Sequence, residues 1–328
     1  MKAIEYRQYG PPEVLAFRDV DPPVIQDHEI LVRVGAAAIN PLDWHFMRGT
    51  PYLLRLMIGL RRPKVPGLGV DVAGRVEAVG SKVERFRPGD EVFGLAKGAL
   101  AEYARSSEAT LALKPANLSF EQAAAVPIAA MTALQGLRDQ GRIRPGCRVL
   151  VNGASGGVGS FAVQIAKALG AEVTGVCSTR NLDLVRSLGA GQVVDYTRED
   201  FTRLGQRYDL IFDTIGNHTV SAMRRVLEPK GVLVMAGAAR MGDWLEPLVS
   251  PLMTLVQSWF VSQTLAPFLA KGRQEDLVVL KDLIEAGKVT PVIDRTYPLS
   301  EAPEAIRYLE GGHARGKVVI TVWKADQT

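Results

Sequence analysis

The residues with the clearest chemical signature are Val149-Leu150-Val151-Asn152-Gly153-Ala154-Ser155-Gly156-Gly157-Val158-Gly159. An apolar run of strand type leads into a glycine-rich turn, and the turn leads into a helical pattern. Glycines let such a turn close and let backbone N–H groups approach a pyrophosphate, while the helix N-terminus adds partial positive charge. The strand–turn–helix context makes the pattern specific. Its spacing is Gly153-x2-Gly156-x2-Gly159, with Ala154 where the usual fingerprint has its first glycine. Gly153, Ser155, Gly156, Gly157 and Val158 are therefore expected to hold a dinucleotide.

The end of the following strand indicates which dinucleotide. NAD binders ordinarily place Asp or Glu about 20 residues beyond the turn, for the ribose 2′-hydroxyl. Thr179 stands there, within Val176-Cys177-Ser178-Thr179-Arg180-Asn181, and the segment holds no carboxylate. Ser178, Thr179 and Arg180 suit a 2′-phosphate through charge-assisted hydrogen bonds, so NADP(H) is the expected cofactor. The alternative for Arg180 is a solvated arginine at a strand end. Two later strand ends, Asp213-Thr214-Ile215-Gly216 and Met235-Ala236-Gly237, place Thr214 and Gly237 toward the same crevice. They could equally be ordinary strand-to-helix turns.

The elements that position these residues follow from pattern. Residues 1 to about 120 read as β-rich, with alternating runs such as Ile30–Val34 and Arg75–Val79 between Gly and Pro turns. From Ser119 the chain turns helical, with Ser119 and Gln122 spaced as a capping box. Strands and helices then alternate: Arg148–Val151, Val158–Leu169, Glu172–Cys177, Leu182–Leu188, Gln192–Tyr196, Leu210–Phe212 and Val232–Met235. That order argues a doubly wound parallel sheet. Toward the end come a helix at Leu277–Ala286, a strand at Val289–Tyr297, a helix near Pro303–Leu309 and a last strand at Val318–Val322.

Composition bounds the class. The 328 residues are 47% hydrophobic and 23% charged, as in globular proteins of about two domains. A net charge of +4 is too mild and dispersed for a nucleic-acid binder. Two cysteines cannot build a disulfide framework or a four-cysteine zinc site, and they suit a reducing, cytoplasmic setting. The N-terminus shows no signal or transit pattern. Pro247–Ala270 lacks charged residues, but its prolines and glutamines argue against stable membrane insertion.

Four further motifs complete the reading: Asn40-Pro41-Leu42-Asp43-Trp44-His45, Pro66-Gly67-Leu68-Gly69-Val70-Asp71-Val72-Ala73-Gly74, Asn152–Gly159 and Gly312-His313-Ala314-Arg315-Gly316-Lys317. On these the chain resembles the zinc-independent, quinone oxidoreductase-like medium-chain dehydrogenases/reductases, particularly NADP-dependent bacterial members and reticulon-interacting mitochondrial reductases. The resemblance covers essentially the whole chain. It implies an α/β fold with a GroES-like domain, residues 1–122 and 273–328, around a Rossmann domain, residues 123–272. It also implies that Ser155, Gly157, Val158, Ser178, Tyr196, Phe260, His313, Ala314 and Arg315 contact NADPH. A homodimer is expected through an edge strand, for which Trp259-Phe260-Val261 is a candidate.

Zinc-using relatives have Cys where this chain has Asn40 and His-Glu where it has Val70-Asp71, so no metal is expected. Hydride transfer to a quinone or an α,β-unsaturated carbonyl can proceed without a Lewis acid, provided donors meet the developing oxyanion. Asn40, Asp43 and Tyr52 are the candidate catalytic residues. Asn40 could instead be a turn residue, Asp43 a cap and Tyr52 a pocket wall. Arg48 is a further donor candidate, and His45 matches the proton-relay histidine of zinc relatives. The apolar, arginine-dotted segment 51–62 is expected either as a lid over the substrate pocket, favouring bulky hydrophobic substrates or brief contact with a membrane surface, or as a core-packed helix with a solvated basic face. The expected partner is a small hydrophobic carbonyl or quinone substrate. An enoyl-thioester reductase and a non-catalytic NADPH-binding regulatory protein are the alternative readings.

Overall fold

The computed structural model describes residues 1–236 and 262–323. Gly237, Phe260 and the candidate edge strand at residues 259–261 lie outside the described residues. In chain order the strands are β1 (Lys2–Glu5), β2 (Ala16–Asp19), β3 (Glu29–Ile39), β4 (Asp71–Val79), β5 (Glu91–Leu95), β6 (Tyr103–Ser107) and β7 (Leu111–Leu113). Then come β8 (Arg148–Asn152), β9 (Glu172–Cys177), β10 (Gln192–Asp195), β11 (Tyr208–Asp213), β12 (Leu227–Met235) and β13 (Thr264–Pro267). The last two are β14 (Ile293–Pro298) and β15 (Lys317–Thr321).

Two compact units result. The first comprises Met1–Ile128, Gly272–Ala286 and Pro291–Thr328, and the second comprises Ala129–Lys271 and Gly287–Thr290. In the first unit, β1 pairs with β2, and the larger sheet runs β14-β15-β3-β4-β5-β7 with β6 also on β3. The alternation in β3 buries Ile30, Val32 and Val34 against Val72, Val92 and Ile320. Helix Ala302–Glu310 adds Ala302, Ala305 and Ile306 to the same core. Ser119 and Gln122 form the expected capping box on helix Phe120–Ala124.

Sheet register does more than hold this core together. Ala38 pairs with Asp71 across β3 and β4, and Ile39 pairs with Val318 across β3 and β15. Asn40, Asp71 and Lys317 therefore issue from one end of three neighbouring strands.

The second unit is a six-stranded, all-parallel sheet of order β10-β9-β8-β11-β12-β13. This is the doubly wound arrangement expected from the alternating pattern. The strand order reverses between β8 and β11, and ligands of such sheets lie beyond the carboxyl ends of the strands at that point. Helix Gly157–Ala168 buries Phe161, Val163 and Ile165, and Gly170 ends the turn beyond it with φ +84°.

Ile320 is wholly buried in β15. Ile320→Ala should destabilise the first unit by about 2–5 kcal/mol, read from its urea midpoint. A loss below about 1 kcal/mol would detach β15 from the cooperative core.

Candidate active site

The glycine-rich turn is shaped by its lack of side chains. Gly153 has φ +86°, and a Cβ there would stand 2.5 Å from Thr214 Oγ1. A Cβ on Gly159 would overlap the carbonyl oxygen of Gly153. Gly156 caps helix Gly157–Ala168 without a side-chain bond, so the N–H groups of the first turn stay available to an anion. The cradle fits a pyrophosphate.

Polar side chains brace this turn. Asn152 Nδ2 donates to Asp213 Oδ1 and to Asn217 Oδ1, both at 2.9 Å. Asp213 Oδ1 also accepts from the N–H groups of Ile215 and Gly216. Thr214 Oγ1 donates to the carbonyl of Asn152 at 2.8 Å, so this hydroxyl supports the turn from beneath. Asn181 Nδ2 donates to Ser155 Oγ at 2.9 Å and Ser178 Oγ at 3.2 Å, tying the turn to the end of β9. Asn181 Oδ1 is buried without a partner. Nothing in the sequence marks Asn181 out, since its place before helix Leu182–Ser187 is that of an ordinary cap.

The expected 2′-phosphate donors divide. Thr179 Oγ1 donates to Asp195 Oδ2 at 2.5 Å, and Thr197 donates to Asp195 Oδ1 through both its Oγ1 and its N–H. The Thr179 hydroxyl and these Thr197 bonds hold the Asp195 carboxyl below its usual range. Thr179 is thus committed to Asp195, while Ser178 is half-buried and Arg180 is exposed beside it. Tyr196, after β10, is exposed.

In the first unit the structure brings Asn40 and Asp43 together with two residues not expected as a set, Asp71 and Lys317. All four are essentially buried. Lys317 Nζ donates to Asn40 Oδ1 at 2.5 Å and to Asp71 Oδ2 at 3.1 Å. Asn40 Nδ2 donates to Asp71 Oδ2 at 2.9 Å, and the N–H of Ile128 donates to Asp71 Oδ1 at 2.9 Å. The Asn40 amide is therefore turned inward at both ends. Asp43 Oδ2 accepts from the Asn40 N–H at 2.8 Å, which is the capping role, while its Oδ1 is buried without a partner. Burial, reinforced by the nearby negative charge of Asp71, pushes the Asp43 carboxyl up to about 7.

Helix Pro41–Arg48 carries the remaining candidates. Arg48 makes a bidentate ion pair with Glu310, at 2.5 and 3.0 Å, so its guanidinium links this helix to Ala302–Glu310. His45 Nδ1 lies 2.8 Å from the carbonyl of Thr50, an acceptor, which puts the neutral ring's proton on Nδ1. Burial lowers the His45 pKa. Tyr52 opens the turn Tyr52–Leu54, half-buried, and Arg55 stacks on its ring at 4.7 Å. His313, Ala314 and Arg315 belong to this unit too, between Ala302–Glu310 and β15, with His313 and Arg315 exposed. The N–H of Arg315 donates to Asp294 Oδ2 at 3.0 Å.

Comparison with known proteins agrees with this architecture. Residues 26–116 match the model of the alcohol dehydrogenase GroES-like domain, and residues 188–320 match that of the zinc-binding dehydrogenase. A 2-methylene-furan-3-one reductase of Solanum lycopersicum is 37% identical over 98% of this chain and 79% of its own length. The quinone oxidoreductase of Coxiella burnetii superposes with a TM-score of 0.87 at 32% identity, covering 98% of this chain and 99% of that one. The Escherichia coli quinone oxidoreductase, solved in complex with NADPH, superposes with a TM-score of 0.81 at 29% identity, covering 98% and 100%. The chain belongs to the medium-chain dehydrogenase/reductase family, in its quinone oxidoreductase-like branch.

Two outcomes follow from the buried cluster. Lys317→Met leaves Asp71 as a buried charge without its cation and should cost about 3–5 kcal/mol, whereas Lys317→Met with Asp71→Asn should recover much of the loss. Equal melting temperatures for the wild type and the single variant would mean that the pair contributes nothing. The second outcome concerns pH. With its pKa raised to about 7, Asp43 favours the folded state most when protonated, and that contribution fades as pH rises through 7. Between pH 5 and pH 8 the wild type should lose stability relative to Asp43→Asn, and a pH-independent difference in melting temperature would refute this.

Proposed function

We propose that the protein is an NADPH-dependent reductase transferring hydride to quinones or α,β-unsaturated carbonyls without a metal. The observation that carries the metal-free reading is the Lys317 ammonium between Asn40 Oδ1 and Asp71 Oδ2, at 2.5 and 3.1 Å. By the resemblance, Asn40 and Val70 stand at ligand positions of zinc-using relatives; valine cannot ligate, and a Zn²⁺ beside that ammonium would meet like charge. The donors do not fit zinc: an amide and one carboxylate already satisfied by a lysine fall short of three ligands.

The relatives named above as a reductase of a methylene-furanone and as quinone oxidoreductases support the substrate class. The bound NADPH of the Escherichia coli protein supports the cofactor, as does the cradle at Gly153–Gly159. When bound, the cofactor supplies the hydride. The turn at Gly153–Gly159 receives the pyrophosphate, and Ser178 and Arg180 receive the 2′-phosphate. Val158, Tyr196, Thr214, Gly237, Phe260, His313, Ala314 and Arg315 are assigned to the remainder of the dinucleotide.

On the substrate side, Asn40 acts as a positioning residue, since both ends of its amide are committed inward. Asp43 fixes the backbone where β3 meets helix Pro41–Arg48. Tyr52 is assigned to the substrate wall. A homodimer through an edge strand of the parallel sheet, for which residues 259–261 are the candidate, is part of the reading; among the described residues β13 pairs only with β12 at that side of the sheet. The cytoplasm is the proposed compartment, in keeping with the free thiols of Cys147 and Cys177.

Steady-state NADPH oxidation with a panel of quinones and enones, before and after exhaustive chelation, tests the proposal. Turnover should survive chelation and should prefer NADPH to NADH. Arg180→Ala should raise KM for NADPH roughly tenfold while leaving NADH nearly unchanged, the loss of one charge-assisted contact worth about 1.5 kcal/mol. Tight NADPH binding without turnover on any acceptor would overturn the enzyme reading, and activity abolished by chelation would overturn the metal-free one.

A further inference from the structure

Residues 44–70 hold five basic side chains, Arg48, Arg55, Arg61, Arg62 and Lys64, and no acidic one. Within this run the large apolar residues Leu56, Met57, Leu60 and Val65 are 64%, 76%, 66% and 59% exposed. Two of the basic groups are occupied. Arg48 is paired with Glu310, and Arg55 is drawn inward, stacked on Tyr9 and Tyr52 and bonded to the carbonyls of Arg48 and Gly49. Arg61, Arg62 and Lys64 are exposed, and none forms an ion pair with a carboxylate among the described residues. Lys64 Nζ bonds only the carbonyl of Met57, at 3.2 Å.

This is not a frayed loop. Tyr9 Oη donates to the carbonyl of Gly59 at 2.6 Å, and the N–H of Lys64 donates to the carbonyl of Ile58 at 2.8 Å. Gly59 has φ +125°, and a Cβ there would overlap the carbonyl oxygen of Arg62. The backbone is pinned from its inner side, so Leu56, Met57 and Leu60 are held outward with three cations at their edge. Exposed apolar side chains rimmed by unpaired cations complement one surface well, an apolar layer beneath anionic headgroups.

We propose that residues 55–65 dock the protein peripherally on anionic lipid bilayers. Leu56, Met57 and Leu60 enter the headgroup–acyl boundary while Arg61, Arg62 and Lys64 engage lipid phosphates. The inference does not rest on the catalytic reading. It would nevertheless bring a reductase to the phase in which lipophilic quinones and enones dissolve.

Co-sedimentation of the full chain with vesicles tests it, comparing equimolar phosphatidylglycerol and phosphatidylcholine with phosphatidylcholine alone at low salt. Partition into the anionic vesicles should be at least tenfold stronger and should fall at least tenfold in 0.5 M NaCl, where the Debye length shrinks to a few ångströms. Arg61→Glu with Arg62→Glu should weaken partition about tenfold, and Met57→Asp with Leu60→Asp should do the same. Melting temperatures of both double variants, matched to wild type, establish that they are folded. Absence of sedimentation with anionic vesicles, or sedimentation indifferent to both variants, would overturn the proposal. So would a chain that ignores vesicles but changes oligomeric state on Met57→Asp with Leu60→Asp, which would assign the patch to a second copy.

Discussion

A buried ammonium between a carboxylate and an amide organises the first unit. Taking the Lys317 and Asp71 charges out of water carries a desolvation penalty of several kcal/mol each, which is offset only when geometry is good and the remaining polar atoms are satisfied. Asn40 and the N–H of Ile128 meet that condition, filling the acceptor and donor positions that the pair leaves open. The cluster therefore depends on the register of β3 with β4 and β15, since a one-residue slip would turn each side chain to the opposite face. It also decides what the neighbouring groups can do. Asp43 lies close enough to Asp71 for its ionisation to be opposed, and the Asn40 amide nitrogen is directed to Asp71 Oδ2 at 2.9 Å and toward the Ala38 carbonyl at 3.5 Å.

The two units meet their electrostatic demands differently. In the parallel unit, the binding surface is made of backbone: glycines permit close approach, and the helix dipole supplies positive charge without desolvating a cation. Side chains there act mostly as struts, with Asn152, Asp213, Thr214 and Asn181 bonding to the turn or to one another. The antiparallel unit instead encloses full charges. A site made of backbone dipoles suits a ligand that must enter and leave at each turnover, whereas a sealed ion pair suits a permanent support.

Much of this was legible from pattern. The apolar runs gave β9 at Glu172–Cys177 with its limits as expected, and the helix after the glycine turn lies within one residue of its expected bounds. Local patterns of this kind are dictated by burial and by glycine, both of which are visible in one dimension. The charge cluster was not visible, because Asn40, Asp71 and Lys317 are far apart in sequence and meet only through strand pairing. In sequence Lys317 is only the last residue of the motif Gly312–Lys317. Thr179 has a partner that was hidden for a related reason. It was counted from the glycine turn along its own strand, while the carboxylate that claims its hydroxyl, Asp195, ends the adjacent strand β10, where it pairs with Cys177.

The placement of β15 between β14 and β3 has a consequence for the order in which the molecule assembles. β3 is made within the first 40 residues, yet its partner β15 begins at Lys317. At about 5–20 residues per second, a ribosome takes roughly 15–60 s to cover that interval. Throughout it the first unit lacks an interior strand and Asp71 lacks its cation, while the parallel unit has its described strands available earlier. The emerging chain is thus a half-built sheet with an open hydrogen-bonding edge at Ala36–Ile39 of β3, beyond the stretch that β6 covers. That edge makes nascent chains, rather than the finished protein, the population most exposed to mispairing and most in need of chaperone cover.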